Sequence, residues 1–183
     1  MAEIQIEAIF HPVRMRIITA LSGRQWTTAQ IASALPDVPQ ATLYRHLKRL
    51  LNAGLVSVVD RRPVRGVLEK VYALSESAVV SPQSVARMTP DDWRRAFAAY
   101  TASLMGQFEV YLQSEPADLV ADGVSFRTVP LYLSDAETTQ LLSDVRALVA
   151  AAGTNGPAPD RRRRLFSTVL VPETDFDKNG DPE

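Results

Sequence analysis

Between Gln40 and Asn52 the chain sets leucines against cations. In Ala41-Thr42-Leu43-Tyr44-Arg45-His46-Leu47-Lys48-Arg49-Leu50-Leu51, the residues Leu43, Leu47, Leu50 and Leu51 recur at helical spacing, and Thr42, Arg45, Lys48 and Arg49 fall on the other face. A guanidinium on such a face can pair two N–H groups with a phosphate or with the acceptor edge of a guanine. Gln40, Thr42 and Tyr44 add amide and hydroxyl groups able to reach base edges or nearby phosphates. A second cationic group follows in Asp60-Arg61-Arg62-Pro63-Val64-Arg65-Gly66. Three arginines on a polar tip would project into solvent with nothing in the protein to neutralise them, unless a partner supplies phosphate.

Other chemistries find little support. The sequence has no cysteine, and its only imidazoles are His11 and His46, so a zinc or soft-metal site of the usual ligand count cannot be assembled from nitrogen and sulfur donors. There is no glycine-rich phosphate loop, nucleophile elbow or paired-histidine metal helix, and we expect neither enzymatic activity nor a cofactor. His11, beside Pro12, reads as a residue that fixes a helix entry. His46 reads as a partly buried histidine supporting the basic helix. Arg161 to Arg164 are either a second phosphate contact or, more simply, a solvated turn or a patch answering the acidic body. Asp175 to Asp181 copy the first half of a calcium-binding loop without the twelfth-position glutamate such a loop requires, and calcium is not expected there.

The elements that must position these residues are marked by local signals. Thr27 and Gln30 have capping-box spacing, and Ile31, Ala34 and Leu35 give the short helix after them one buried stripe. Pro36 to Pro39 prevent simple continuation, so the basic helix starts near Gln40. Gly54 supplies a left-handed residue beyond its end near Asn52, with Leu55 as the accompanying apolar contact. Leu55 to Val59 and Val67 to Leu74 are β-branched and aliphatic, as paired strands are. Helix, turn, basic helix and hairpin in that order predict a winged helix-turn-helix, and duplex DNA as its partner. Upstream, Ile6, Ile9, Phe10, Val13, Ile17 and Leu21 mark a first helical region interrupted or restarted at Pro12 and ended by Ser22-Gly23-Arg24.

The stretches from Phe10 to Ile18, Pro39 to Leu47 and Ala53 to Val56 resemble the ArsR-type winged-helix transcription regulators, over roughly the first seventy-five residues. The resemblance implies a DNA-binding regulator, by default a repressor, in which His46 can approach a phosphate. The chain departs from the founding members in lacking the cysteine thiolates through which they sense metals.

The net charge of −1 hides an asymmetry: through Leu74 there are 10 Lys and Arg against 5 Asp and Glu, and beyond it 10 against 16. A basic head on an acidic body suits a DNA module joined to a regulatory or assembly module. Thr89-Pro90-Asp91-Asp92 opens a long helix to about Gln113. On it Trp93, Phe97, Tyr100, Leu104, Phe108 and Tyr111 form a stripe at steps of three and four, readable as a core face, a ligand-pocket lining or, our reading, a homodimer seam. Residues 125–133 and 165–171 have strand character. Ser134 to Glu137 caps a helix reaching about Ala151, with Leu141, Leu142, Val145, Leu148 and Val149 as its buried face.

The expected fold is thus mainly α with a small β component: an N-terminal winged helix-turn-helix over residues 1–76, then a C-terminal α+β region with a long helix over residues 77–172, and a disordered acidic tail over residues 173–183. No apolar run is long enough to span a membrane, and a cytoplasmic, bacterial-type protein is expected. The function expected is a sequence-specific homodimeric regulator on a palindromic operator, with an unidentified small-molecule effector admissible. The alternative is a winged-helix protein-interaction module in a larger assembly, against which the basic face counts.

Overall fold

The computed structural model describes residues 8–64, 67–75, 82–114 and 117–173. The chain forms two compact units, Met1–Ser125 and Phe126–Glu183. The first contains helix α1 (Pro12–Leu21), strand β1 (Trp26–Thr27), helices α2 (Thr28–Ala34) and α3 (Gln40–Asn52), strands β2 (Val56–Val64) and β3 (Val67–Leu74), and helices α4 (Pro82–Val85) and α5 (Pro90–Leu112). Among its described residues the second contains one helix, α6 (Asp135–Gly153).

The caps explain where the helices begin. His11 caps α1, its ring nitrogen accepting from the Val13 N–H at 3.2 Å, and Pro12 takes the first helical position, where no N–H is needed. Thr27 and Gln30 close a reciprocal capping box on α2. Thr89 with Asp92 does the same on α5, and Ser134 with Glu137 on α6. Helix α3 ends in a six-to-one and five-to-two bond pair: Leu55 N donates to Leu50 O and Gly54 N to Leu51 O, each at 3.0 Å, with Gly54 at φ 71°. That left-handed angle is strained for any residue with a Cβ, which is why glycine stands there.

Three strands form one antiparallel sheet in the order β1-β3-β2. The wing differs from the sequence expectation. Strand β2 continues to Val64, pairing Arg61 with Lys70, Arg62 with Glu69 and Pro63 with Leu68, so the hairpin arms absorb most of the expected tip. These positions lack apolar alternation because both faces of the arm meet water, and Pro63 is tolerated on an edge strand. A register shift between Val58 and Asp60 bends the strand below the arginines.

Ile17, Leu21, Ile31, Leu35, Leu43, Leu47, Leu50, Leu55, Val56 and Tyr72 meet in one core that joins both helices of the turn to α1 and the sheet. Burying each such aliphatic side chain is worth about 1.5–3 kcal/mol. Helix α5 adds to the same unit by packing on α1, and this unit runs to Ser125. It docks through small residues: Ala96, Ala99 and Ser103 are its buried positions, and Gly106 lies against the Arg16 guanidinium.

In the second unit the expected strands at 125–133 and 165–171 do not form among the described residues, leaving α6 alone rather than an α+β arrangement. Strand character is a capacity to pack and pair, and here Phe126, Tyr132, Phe166 and Val171 stay exposed. Helix α6 has no buried residue. Leu148 and Val149 of its expected inner face are exposed, and Leu141, Leu142 and Val145 are half-buried. The expected acidic tail lies beyond residue 173, outside the described residues, apart from Glu173 itself. No helix among the described residues is long and apolar enough to cross a membrane.

Candidate nucleic-acid interface

The core sets the orientation of α3. With Leu43, Leu47 and Leu50 at 0–1 % exposure on the inner side, the helix must turn Gln40, Tyr44, Arg45, Lys48 and Arg49 outward, and all five are exposed. Thr42 is half-buried at the edge of this face. None of Arg45, Lys48 and Arg49 forms an ion pair or hydrogen bond among the described residues. The result is a row of solvated cations on a rigid helix.

The wing carries the next cations. Arg61 and Arg62 are exposed on β2, and Arg65 lies outside the described residues. The expectation that nothing in the protein neutralises these arginines is corrected for Arg62, whose Nε meets Asp60 Oδ2 at 3.2 Å. Asp60 also accepts from the Arg61 backbone N–H at 2.7 Å, and these bonds hold its carboxyl below the usual range. The acid organises the base of the wing, leaving the Arg61 side chain free of ion pairs among the described residues.

Between α3 and the wing runs a cleft of about 640 Å³ lined by Thr28, Tyr44, Lys48, Leu68, Lys70 and Tyr72, among others. Its geometry is held at the far end by Glu69, whose carboxylate accepts from the Ala29 N–H at 2.9 Å and so ties β3 to the first turn of α2.

His46 does not share the exposed face. It is 3 % exposed, and its ring lies 4.3 Å from that of His11, centroid to centroid. Burial first, then the charges of His11, Arg14, Arg45 and Arg49, push its pKa down to about 4; His11 is lowered by burial, then by Arg14, Arg49 and Arg45. Both rings are neutral at pH 7, and the pair supports the basic face from beneath. Beside it, Arg16 is 6 % exposed and holds Asp37, at the turn between α2 and α3, with two bonds of 2.6 Å. That clamp, which fixes α3 relative to α1, had no signal in the sequence, because residues 21 apart in the chain show no periodic relation.

Of the aromatic stripe, Trp93 and Phe97 are each 52 % exposed, and Tyr100, Leu104, Phe108 and Tyr111 are half-buried. It is not the face by which α5 docks on α1. Tyr111 donates to Asp122 at 3.0 Å and stacks with Phe108 at 6.2 Å, so the C-terminal end of the stripe already has partners inside the unit.

A protein-family model described as a helix-turn-helix domain matches residues 9–59, from just before α1 into β2. The match covers the helices and the turn built above, and the paired strands that follow supply the wing. The elements from α1 to β3 therefore form a winged helix-turn-helix domain, of the class that binds DNA in transcription regulators. No curated protein matches the chain.

Proposed function

We propose that this protein is a sequence-specific transcription regulator of the ArsR type, without metal sensing, acting as a homodimeric repressor on a palindromic operator. The observation that carries the reading is the single outward face of α3, where Gln40, Tyr44, Arg45, Lys48 and Arg49 are exposed together while the leucines behind them are fully buried. In this reading α3 enters the major groove. Gln40, Thr42, Tyr44 and Arg45 reach base edges or nearby phosphates, and Lys48 and Arg49 hold the backbone. Arg61, Arg62 and Arg65 on the wing contact flanking phosphates or the minor groove and set register. His46 acts from below, through His11 and the start of α1.

Selection of bound sites from a random duplex library at two salt concentrations tests this. The expected result is a palindromic motif with half-sites about ten base pairs apart. Failure to enrich any motif, with binding that disappears at moderate salt, would reduce the basic face to a generic polyanion surface and favour a protein-interaction module.

A further inference from the structure

Helix α3 and strand β3 build the two walls of the cleft beside the wing, and both walls have the same make-up. On α3 the lining residues Tyr44, Lys48 and Leu51 stand at steps of four and three, so they form one stripe of the helix. On β3 the lining residues Leu68, Lys70 and Tyr72 alternate, which puts them on one face of the strand. Tyr72 is buried in the core, whereas Leu68 is 63 % exposed and Lys70 is exposed. Each wall therefore joins apolar side chains to one ammonium group that water reaches.

The positive charge at this cleft is unanswered. Neither Lys48 nor Lys70 forms a side-chain hydrogen bond or ion pair among the described residues. In the β2–β3 register Lys70 stands directly opposite Arg61, whose side chain also has no ion pair there. Like charges opposed across a sheet are destabilising, and an anion between them removes that penalty. Among the described residues lining the cleft Glu69 is the only carboxylate, and it is engaged by the Ala29 N–H at 2.9 Å. Cations set beside exposed apolar side chains match a sugar-phosphate chain, in which anionic groups alternate with the apolar faces of deoxyribose.

We propose that this cleft receives the backbone of one DNA strand, with Lys48 and Lys70 contacting its phosphates from the two walls and Tyr44 and Leu68 packing on the sugars between them. Lys70 thereby becomes a DNA contact, on the strand that returns from the wing rather than at its tip. The placement rests on the DNA-binding reading proposed for α3. It holds α3 and the wing to the same stretch of backbone, so the helix cannot slide in the groove without the wing moving too. Glu69 is a positioning residue here, since its bond to α2 fixes the part of β3 that carries Lys70.

Because the backbone is common to every sequence, a short random-sequence duplex and the full chain suffice for the test. Each phosphate contact adds roughly 0.9 to the slope of log affinity against log salt. Lys70→Ala should therefore bind more weakly than the wild type, and its affinity should fall roughly threefold less between about 50 mM and about 200 mM salt. Occupancy is read separately. The chain has no cysteine, so Leu68→Cys places a single thiol at the cleft, and the duplex should slow its alkylation by iodoacetamide severalfold. If circular dichroism shows Leu68→Cys unfolded, the salt dependence of Lys70→Ala decides. Wild-type binding with an unchanged salt slope in Lys70→Ala would overturn the contact and leave the DNA reading intact. A lowered slope with the thiol unprotected would place Lys70 against DNA outside the cleft and overturn the seat. Protection by a small aromatic carboxylate such as benzoate, and none by the duplex, would make the cleft a small-molecule site and overturn the backbone as its occupant. Absence of duplex binding by the wild type at low salt would overturn both the seat and the reading it rests on.

Discussion

Arg45 and His46 are consecutive in sequence and opposite in surroundings, and the difference fixes what each can do. Arg45 is exposed on the outer face of α3 with no ion pair among the described residues, so a duplex can reach it without displacing anything. Arg45→Ala is expected to cost about 1–3 kcal/mol in binding to the selected operator and to relax preference at one base pair. An equilibrium titration against the operator and its single-base variants would measure both. A uniform loss across all variants would move Arg45 to the backbone contacts. His46 works through stability. Its pKa lies at about 4 in the folded chain against 6.5 for an ordinary histidine, so the unfolded chain takes the proton first. The contribution is complete above pH 6.5 and is lost as pH falls towards 4, by roughly 3 kcal/mol at the limit. Asp37 and Glu137 are instead held below the usual carboxylate range, so their losses begin only at more acid pH. Urea unfolding at steps from pH 7 downward should show the early decline in the wild type, and His46→Gln should flatten it. Equal slopes in the two proteins would assign the decline to other groups.

At the scale of elements, what was legible in the sequence was whatever rests on neighbours a few residues apart. The capping boxes at Thr27 and Ser134, the N-cap at Thr89, the leucine stripe of α3 and the Gly54 stop are all local, and the helices begin and end within about two residues of where those signals place them. The exposed basic row of α3 followed from the same stripe. Strand β1 was missed because two residues, Trp26 and Thr27, cannot show alternation, and its existence depends on pairing with Val71 and Tyr72. The length of the wing was missed because its arms are polar on both faces. The docking face of α5 was missed for a different reason: aromatic residues draw attention, whereas the contact is made by Ala96, Ala99, Ser103 and Gly106, small enough to let the helix approach α1. At Gly106 an added Cβ would stand 2.9 Å from the Arg16 guanidinium, which is itself locked by Asp37. Gly106→Leu should therefore destabilise the protein by about 1–3 kcal/mol despite the gain in helix propensity, as overpacking does. A thermal or urea midpoint at or above wild type would show that Arg16 can swing aside without losing its clamp.

For the whole molecule, the fact to be explained is how much apolar surface the second unit leaves uncovered. Phe126, Tyr132, Leu148 and Phe166 are 79, 103, 72 and 68 % exposed, and α6 buries nothing, although chains of this kind rarely leave large apolar patches to water. In the first unit Trp93 and Phe97 stand out of α5 at helical spacing. A second copy of the chain is the simplest cover, since a two-fold interface is self-complementary and would carry two basic heads to half-sites one helical turn apart. Sedimentation of the full chain is expected to give twice its 20.2 kDa. Phe97→Asp, at an exposed position where folding should survive, tests the seam. It should shift the protein towards monomer and weaken binding to a two-half-site duplex more than to a single half-site. If Phe97→Asp stays dimeric while Phe166→Asp does not, the seam lies within residues 126–173 and the stripe on α5 serves another purpose. If the wild type sediments as a monomer at micromolar concentration with its helical content intact, the palindromic operator loses its basis, and one α3 with one wing would have to account for all the affinity.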